Sequence, residues 1–247
     1  MRINKILVAQ AEPSNSSHYT ALEERFGVKI DFKPFFLIEP LSSREFRGQR
    51  INLPDYTAVV FSSRHAIDAY FALSEELRFK VPETMKYFCS TEVVAMYLQK
   101  HIIYRKRKIF YGNGTPASVV SLIGPKHKGE KFLVTTSENA DTANIHKIFS
   151  AAGLDYTVGV LVKPVSEDLR GVDLHSYDLL ALHNANDVKS LFESYPDFRQ
   201  GDLKIITFGK GIVKAMEENG LESVLQGPTP QAPSLSKAIE LYLSQND

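Results

Sequence analysis

The chain has 247 residues, 43% of them hydrophobic, and its 29 basic residues balance 29 acidic ones. That length suits one large domain or two small ones, and the balance leaves no global field to draw the chain onto nucleic acid or anionic lipid. The single cysteine, Cys89, forms no internal disulfide and, inside an apolar stretch, reads as a buried, inert thiol.

Lys5 to Gln10 is a short apolar run closed by Glu12-Pro13-Ser14-Asn15, which predicts a buried strand and then a loop. Tyr19 to Phe26 has helical spacing and stops at Gly27. Val28 to Phe36 alternates as one strand, broken near Pro40. Thr57 to Phe61 is a β-branched apolar strand, and Ser62-Ser63 can cap a helix that carries Ala66, Ile67, Tyr70 and Phe71 on one face. Tyr87 to Cys89 predicts a strand, Val93 to Gln99 a helix and Ile102 to Tyr104 the next strand. The basic run Tyr104-Arg105-Lys106-Arg107-Lys108 reads as a solvated strand end or loop, or as a patch for an anionic ligand. Gly112 to Pro116 is a turn feeding a helix over Ala117 to Ile123, and Gly124 to Gly129 is a polar joint.

The second half keeps the same order. Extended segments are expected at Lys131 to Thr135, Tyr156 to Val162, Leu179 to Leu182, Ile205 to Phe208 and Val224-Leu225. Helices are expected over Ala143 to Ala152, Asp187 to Tyr195, Ile212 to Asn219 and Ser234 to Ser244. No apolar run is long enough for a membrane span, and the N-terminal run is too short for a signal peptide, so a cytoplasmic protein is expected.

The chain also repeats itself. Tyr56 to Phe71 (YTAVVFSSRHAIDAYF) lies over Tyr177 to Phe192 (YDLLALHNANDVKSLF) at an offset of 121, and Ile6-Leu7-Val8 lies over Phe132-Leu133-Val134 at an offset of 126, which brings Gly27 onto Gly153. Strands alternating with helices imply an α/β fold with parallel sheets, and the duplication implies two flavodoxin-like lobes with a cleft between them. Ligand sites favour such interfaces.

In open α/β sheets ligands sit beyond the carboxyl ends of the strands, where helix-start amides suit anions. Four strand ends stand out. Ser62, Ser63, Arg64 and His65 offer hydroxyls and a guanidinium matched to carboxylate or phosphate; their plainer reading is helix capping with Arg64 in solvent. His183 and Asn184 hold the equivalent place in the repeat, and a histidine there can donate to an anion, act as an acid or simply be structural. Gly209-Lys210-Gly211 is a tight turn with a cation, neither a P-loop nor a dinucleotide fingerprint. Asn113 and Gly114 lie in a turn that permits close approach of a ligand to the backbone. The seven histidines show no HxxxH or HExxH spacing, so no metal site is nominated, and no pattern calls for a cofactor.

INLPDYTAVVFSSRHAIDAYF from Ile51, PETMKYFC from Pro82, YLQKHIIYRKRKIFYGNGT from Tyr97 and GPTPQAPSLSKAIELYL from Gly227, in this order and spacing, resemble the uroporphyrinogen-III synthase family over nearly the whole chain. The resemblance implies two lobes joined by a two-stranded connection. One lobe would take residues 1–35 and 165–247 and the other 38–161, with crossings near Phe35-Phe36 and Val162-Lys163-Pro164. It implies a cofactor-free cyclisation, carried out by a monomer without nucleic acid or membrane. Hydroxymethylbilane, a linear tetrapyrrole with eight carboxylates, loses its hydroxyl to give an azafulvene. Ring D attacks through its substituted carbon, and a spiro intermediate reopens and closes with ring D inverted.

The chain departs from the family pattern at three places. Val162-Lys163-Pro164 stands where the family carries a Tyr-Arg-Thr-like run whose phenol is proposed to help the hydroxyl leave. His183-Asn184-Ala185 replaces a run of the Ser-Pro-Ser or Thr-Ser type, and Gly209-Lys210-Gly211-Ile212 replaces Gly-Pro-Thr-Thr. Three readings follow: a synthase in which His183, Asn184 or Lys210 replaces the usual hydroxyls, with His183 and Lys210 the catalytic candidates; a homologue that binds a tetrapyrrole or another polyanion, such as a polycarboxylate, without turnover; and a two-lobe small-molecule sensor or binding module.

Overall fold

Runs of four to six apolar residues become strands here because a parallel sheet is covered on both faces and leaves no solvent side to mark with polar residues. A computed structural model describes residues 2–209 and 211–246. The elements run β1 (Lys5–Val8), α1 (Ser17–Phe26), β2 (Lys29–Phe32), β3 (Phe36–Pro40), α2 (Ser43–Gly48), β4 (Ala58–Phe61), α3 (Arg64–Glu76), β5 (Lys86–Cys89), α4 (Glu92–Tyr97) and β6 (Ile109–Tyr111). They continue through α5 (Pro116–His127), β7 (Lys131–Ser137), α6 (Ala143–Ala151), β8 (Asp155–Ser166), β9 (Leu179–Leu182), α7 (Ala185–Ser194), β10 (Lys204–Phe208), α8 (Ile212–Glu218), β11 (Leu225–Gly227) and α9 (Leu235–Gln245).

The chain divides into two compact units, Met1–Leu37 with Val165–Asp247, and Ile38–Pro164. It passes from one to the other within β3 and again within β8. The first unit holds a five-stranded sheet in the order β11-β10-β9-β1-β2, parallel throughout. The second sheet runs β3-β8-β7-β4-β5-β6 and is parallel from β8 to β6. The architecture is α/β, with two flavodoxin-like sheets, as the duplication implied, and a two-stranded connection, as the resemblance implied.

The period of two along each strand builds two cores per unit. In β4, Val59 and Phe61 enter one buried cluster with Ile67, Tyr70 and Leu133, while Ala58 and Val60 enter the opposite one with Phe88, Phe132 and Phe149. In β1, Ile6 and Val8 pack one face, and Leu7, with Ala9 just past the strand, the other. Helix starts follow local chemistry. The hydroxyls of Ser63, Thr91, Thr115 and Ser234 accept from the backbone amides of Ala66, Val94, Ser118 and Lys237. Gly27 closes α1 at φ 64°, a left-handed turn that costs glycine nothing. Cys89 is buried, and that burial pushes its thiol up to about 12.

Four local expectations need correction. Ile102 to Tyr104 forms no strand; Ile103 is exposed between the half-buried Ile102 and Tyr104, an in-out alternation that imitates a strand without a partner. The strand beside β5 is instead β6, with Ile109 and Phe110 opposite Tyr87 and Phe88. Val28 to Phe36 is not one strand: it parts into β2 and β3 around Pro34, which has no amide for the ladder. Gly124 to Gly129 is not a joint; Gly124 breaks α5 at φ 47° and the helix resumes at Pro125. α2 was not expected, although Ser42-Ser43-Arg44-Glu45 spells a capping box, and both of its hydrogen bonds form.

Asp68 ties α3 to the turn after α4. Its carboxylate accepts from Tyr97 Oη at 2.7 Å and Lys100 Nζ at 3.0 Å, and lies 2.7 Å from His101 Nε2. Partial burial pushes Asp68 up, but hydrogen bonds from Tyr97, His101 and Lys100 outweigh it and hold the group at about 2. The folded value lies below the ordinary aspartate value near 4, so this contribution is complete above pH ~4 and fades as pH falls toward 2. Urea unfolding of Asp68→Asn is expected to lose less stability than the wild type between pH 4 and 2. Equal losses would show that the cluster contributes nothing.

Candidate functional site

Counted within the first unit, the sheet β2-β1-β9-β10-β11 has the strand order 2-1-3-4-5, so its order reverses between β1 and β9. The second unit repeats that order as β8-β7-β4-β5-β6, reversing between β7 and β4 and extended by β3. The copies are therefore circular permutations, which is why the two sequence offsets join different strand pairs. Ligands in such sheets bind beyond the carboxyl ends at the reversal. Those ends are Val8 and Leu182 in the first unit, Ser137 and Phe61 in the second.

At the first unit's rim, His183 and Asn184 leave β9 and enter α7. Asp187, fully buried, anchors them: its Oδ2 accepts from the backbone amides of His183 and Asn184, each at 2.9 Å. The ring Nδ1 of His183 lies 3.2 Å from the same oxygen, close enough for charge pairing but off the line of a hydrogen bond. The His183 side chain keeps 31% exposure. Asn184 spends its Oδ1 on the backbone and side-chain amides of Asn186. β10 pairs Thr207 with Leu182, which brings Gly209 alongside His183. Gly209 has φ 129°, and a Cβ there would stand 3.2 Å from the His183 carbonyl oxygen, so both strain and space reserve the position for glycine. Gly211 is the N-cap of the short α8 and is exposed. Lys210 lies outside the described residues.

At the second unit's rim, Phe61, Cys89 and Tyr111 are register partners, so the residues after them stand side by side. The Ser90 amide and hydroxyl donate to the carbonyls of Phe61 and Ser62, and the Gly114 amide donates to the Ser90 carbonyl. Ser62 and Gly114 thus share one rim, with Ser90 between them. Ser63 is occupied as the cap of α3. Arg64 is exposed, its guanidinium 5.8 Å from the Tyr97 ring centroid, and His65 is exposed beside it. Asn113 is spent on its own loop, accepting from the amide and hydroxyl of Thr115 and donating its backbone amide to Ser118. Gly112 is fixed by that loop, since a Cβ there would meet Ser118 Oγ at 2.2 Å.

Two hollows open at this rim. One of about 110 Å³ lies under Ser62, Ser90, Gly114 and Thr115 and is floored by Val60, Val119, Val134 and Phe149. A wider one of about 650 Å³ follows β7 and is lined by Ser137, Asn139, Thr142, His146 and Tyr156. Sequence reasoning missed Ser90, Thr115, Ser137, Thr142, His146 and Tyr156. The 126-residue echo already placed β7 over β1 and was the available signal. Tyr156 Oη is 3.0 Å from His146 Nδ1 and 2.9 Å from Ser150 Oγ. Among the described residues, no group of histidine, cysteine and carboxylate side chains could hold a metal ion. No helix among them is long and apolar enough to cross a membrane.

At the second crossing, Lys163 Nζ donates to Glu45 Oε1 at 2.6 Å. That bond, with the Ser42 hydroxyl and amide, holds Glu45 down at about 2.

The family model described as uroporphyrinogen-III synthase HemD (HEM4) matches residues 17–237. Among solved structures, uroporphyrinogen-III synthetase from Helicobacter pylori 26695 is similar at 16% identity with a TM-score of 0.59, over 98% of this chain and 100% of that one. A mutant uroporphyrinogen III synthase from the extremely thermophilic bacterium Thermus thermophilus is similar at 15% identity with a TM-score of 0.54, over 99% and 100%. These two likenesses establish the fold. No curated protein matches the chain in sequence.

Proposed function

Given that the chain belongs to the uroporphyrinogen-III synthase family, we propose that it cyclises hydroxymethylbilane to uroporphyrinogen III with inversion of ring D, without a cofactor. The observation that carries the proposal is the family match over residues 17–237. The rims agree with it in chemistry: they offer neutral donors and basic side chains, Arg64, His65, His146 and His183 among them, while the buried carboxylate of Asp187 is turned onto backbone amides.

The substrate cyclises by itself without inversion, so the catalyst's task is to hold a flexible polyacid with the inverting attack nearest. Free first-turn amides at Arg64 and His65, the Arg64 guanidinium and the hydroxyls of Ser62 and Ser137 suit carboxylates. His183 is the proton donor in this reading. It passes a proton to the departing hydroxyl, which leaves as water, and recovers one when ring D's unsubstituted carbon loses its hydrogen at closure, so the residue ends as it began. Lys163, paired with Glu45, does not replace the family's phenol.

Incubation of the pure protein with freshly made hydroxymethylbilane tests the proposal. The expected product is the type III isomer, formed faster than spontaneous closure. Type I product at the spontaneous rate removes the synthase reading. Tight binding of the bilane together with that result favours a homologue that binds without turnover.

A further inference from the structure

We propose that the second unit carries a separate binding site for a small aromatic carboxylate, in a hollow at the amino ends of β5 and β6. The hollow measures about 190 Å³ and is lined by Val81, Tyr87, Ile102, Arg105, Lys108 and Ile109, among others. Its position sets it apart from the rim. Val81 lies in the loop before β5, and Lys108 directly precedes β6, the outermost strand of its sheet. Ser62, Ser90 and Gly114 follow the carboxyl ends of β4, β5 and β6, at the other end of the same sheet.

Among the buried lining, one polar atom stands without a partner. Val81 and Ile102 are half-buried against the core, and Ile109 is buried. Tyr87 is only 4% exposed, yet its hydroxyl makes no hydrogen bond among the described residues. Burial pushes the phenol above its ordinary value, so it stays a neutral hydroxyl at physiological pH. The oxygen is not sealed in. Tyr70 Oη is both buried and unpartnered, whereas Tyr87 Oη keeps contact with the surface, and Tyr87 lines this hollow. A hydroxyl in apolar surroundings with no protein acceptor gains a hydrogen bond only from what enters the space.

The basic run Arg105-Lys106-Arg107-Lys108 supplies the charge. Arg105 meets Glu83 at 3.5 Å, and that carboxylate is 84% exposed. Lys106, Arg107 and Lys108 make no ion pair among the described residues, so the run keeps a surplus of positive charge. Lys108 is half-buried and lines the hollow, where its stem can follow the apolar wall and leave the ammonium in water. Together these groups suit a ligand with an apolar body, an anionic head and an acceptor for the Tyr87 hydroxyl. A cavity of about 150 Å³ takes benzene, so about 190 Å³ suits one aromatic ring with a carboxylate. A ring also freezes fewer rotors on binding than a chain of the same size. A tetrapyrrole is too large for the space, so this is not a second copy of the substrate site.

The experiment titrates the full-length protein with 4-hydroxybenzoate, with its neutral amide 4-hydroxybenzamide, and with adipate, a dianion without a ring. Methyl NMR signals of Val81, Ile102 and Ile109 report the hollow, and those of Val119 and Val134 report the rim. Saturable shifts confined to the first set are expected with 4-hydroxybenzoate, about 10-fold weaker binding with the amide, and no shifts with adipate. Replacing both cations, Arg105→Gln with Lys108→Gln, should remove the preference for the acid. Tyr87→Phe should weaken binding of the acid about 5-fold, the worth of one ordinary hydrogen bond. Its melting temperature should match or exceed that of the wild type, because the lost hydroxyl has no protein partner. No saturable shifts at the first set, equal shifts with adipate, or an acid preference kept by the double variant overturns the proposal. Undiminished binding by Tyr87→Phe, or a lower melting temperature for it, does the same. Binding is read without turnover and away from the rim, so the outcome is independent of the cyclisation assay.

Discussion

His183→Ala is expected to lower kcat for bilane cyclisation by about 10²–10⁴-fold, the usual worth of a positioned general acid, with KM nearly unchanged. Three features select this residue. It stands at the carboxyl end of β9, where the strand order of its sheet reverses. Its backbone is pinned by the buried Asp187, and its ring is drawn to the same carboxylate at 3.2 Å while 31% of the side chain stays accessible. The phenol that the family carries at the second crossing is absent, and Lys163 there is held by Glu45 at 2.6 Å. The variant should also change the product. Once the enzymatic route falls below the spontaneous one, type I isomer accumulates. His183→Gln keeps polarity but cannot hand over a proton, so it should behave like alanine. A variant that retains kcat and type III product would move the proton transfer to another group, with Lys210 the next to replace.

Asp187→Ala is expected to destabilise the protein by about 2–4 kcal/mol, the sum of a lost cap and amides left without their charged acceptor. The carboxylate is fully buried, and one oxygen serves the amides of both His183 and Asn184. Alanine leaves those two N–H groups facing a protein interior, and an unsatisfied buried donor costs more than the original bond contributed. Asp187→Asn retains an oxygen acceptor in nearly the same place. It should recover more than half of the loss in stability while still weakening the hold on the His183 ring. Urea denaturation of the three proteins gives the comparison. A loss below about 1 kcal/mol for alanine, the scale of an ordinary exposed cap, would show that the amides find water or other partners. Equal losses for alanine and asparagine would place the effect in the charge and not in the acceptor.

Much of the fold is legible in short windows. Leu179 to Leu182 and Ala58 to Phe61 announce buried strands by being apolar throughout, and both are fully buried. Ser63 and Ser234 announce helix starts, and Gly27 an end. The failures have the same origin as the successes. Ile102-Ile103-Tyr104 and Ile109-Phe110-Tyr111 are both apolar triplets, yet only the latter finds β5. Apolar composition reports that side chains can turn inward, and pairing is decided by the neighbour.

The candidate site divides along the same line. Ser62 to His65 and His183-Asn184 are readable because a hydroxyl or amide directly after an apolar strand caps the next helix wherever the strand lies. Ser90, Thr115, Ser137 and Tyr156 carry no such mark. They matter because β4 lies between β7 and β5, an arrangement set by contacts such as Val60 with both Phe88 and Val134. Strand identity, capping and duplication reside in the chain's local chemistry, since dihedral preferences and side-chain periodicity act over a few residues. Strand order, the reversal points and the hollow under Ser62 come only from folding. Ile6 meets Leu179 because burial of both sheet faces rewards that contact over the whole molecule, and no short window of sequence holds both partners.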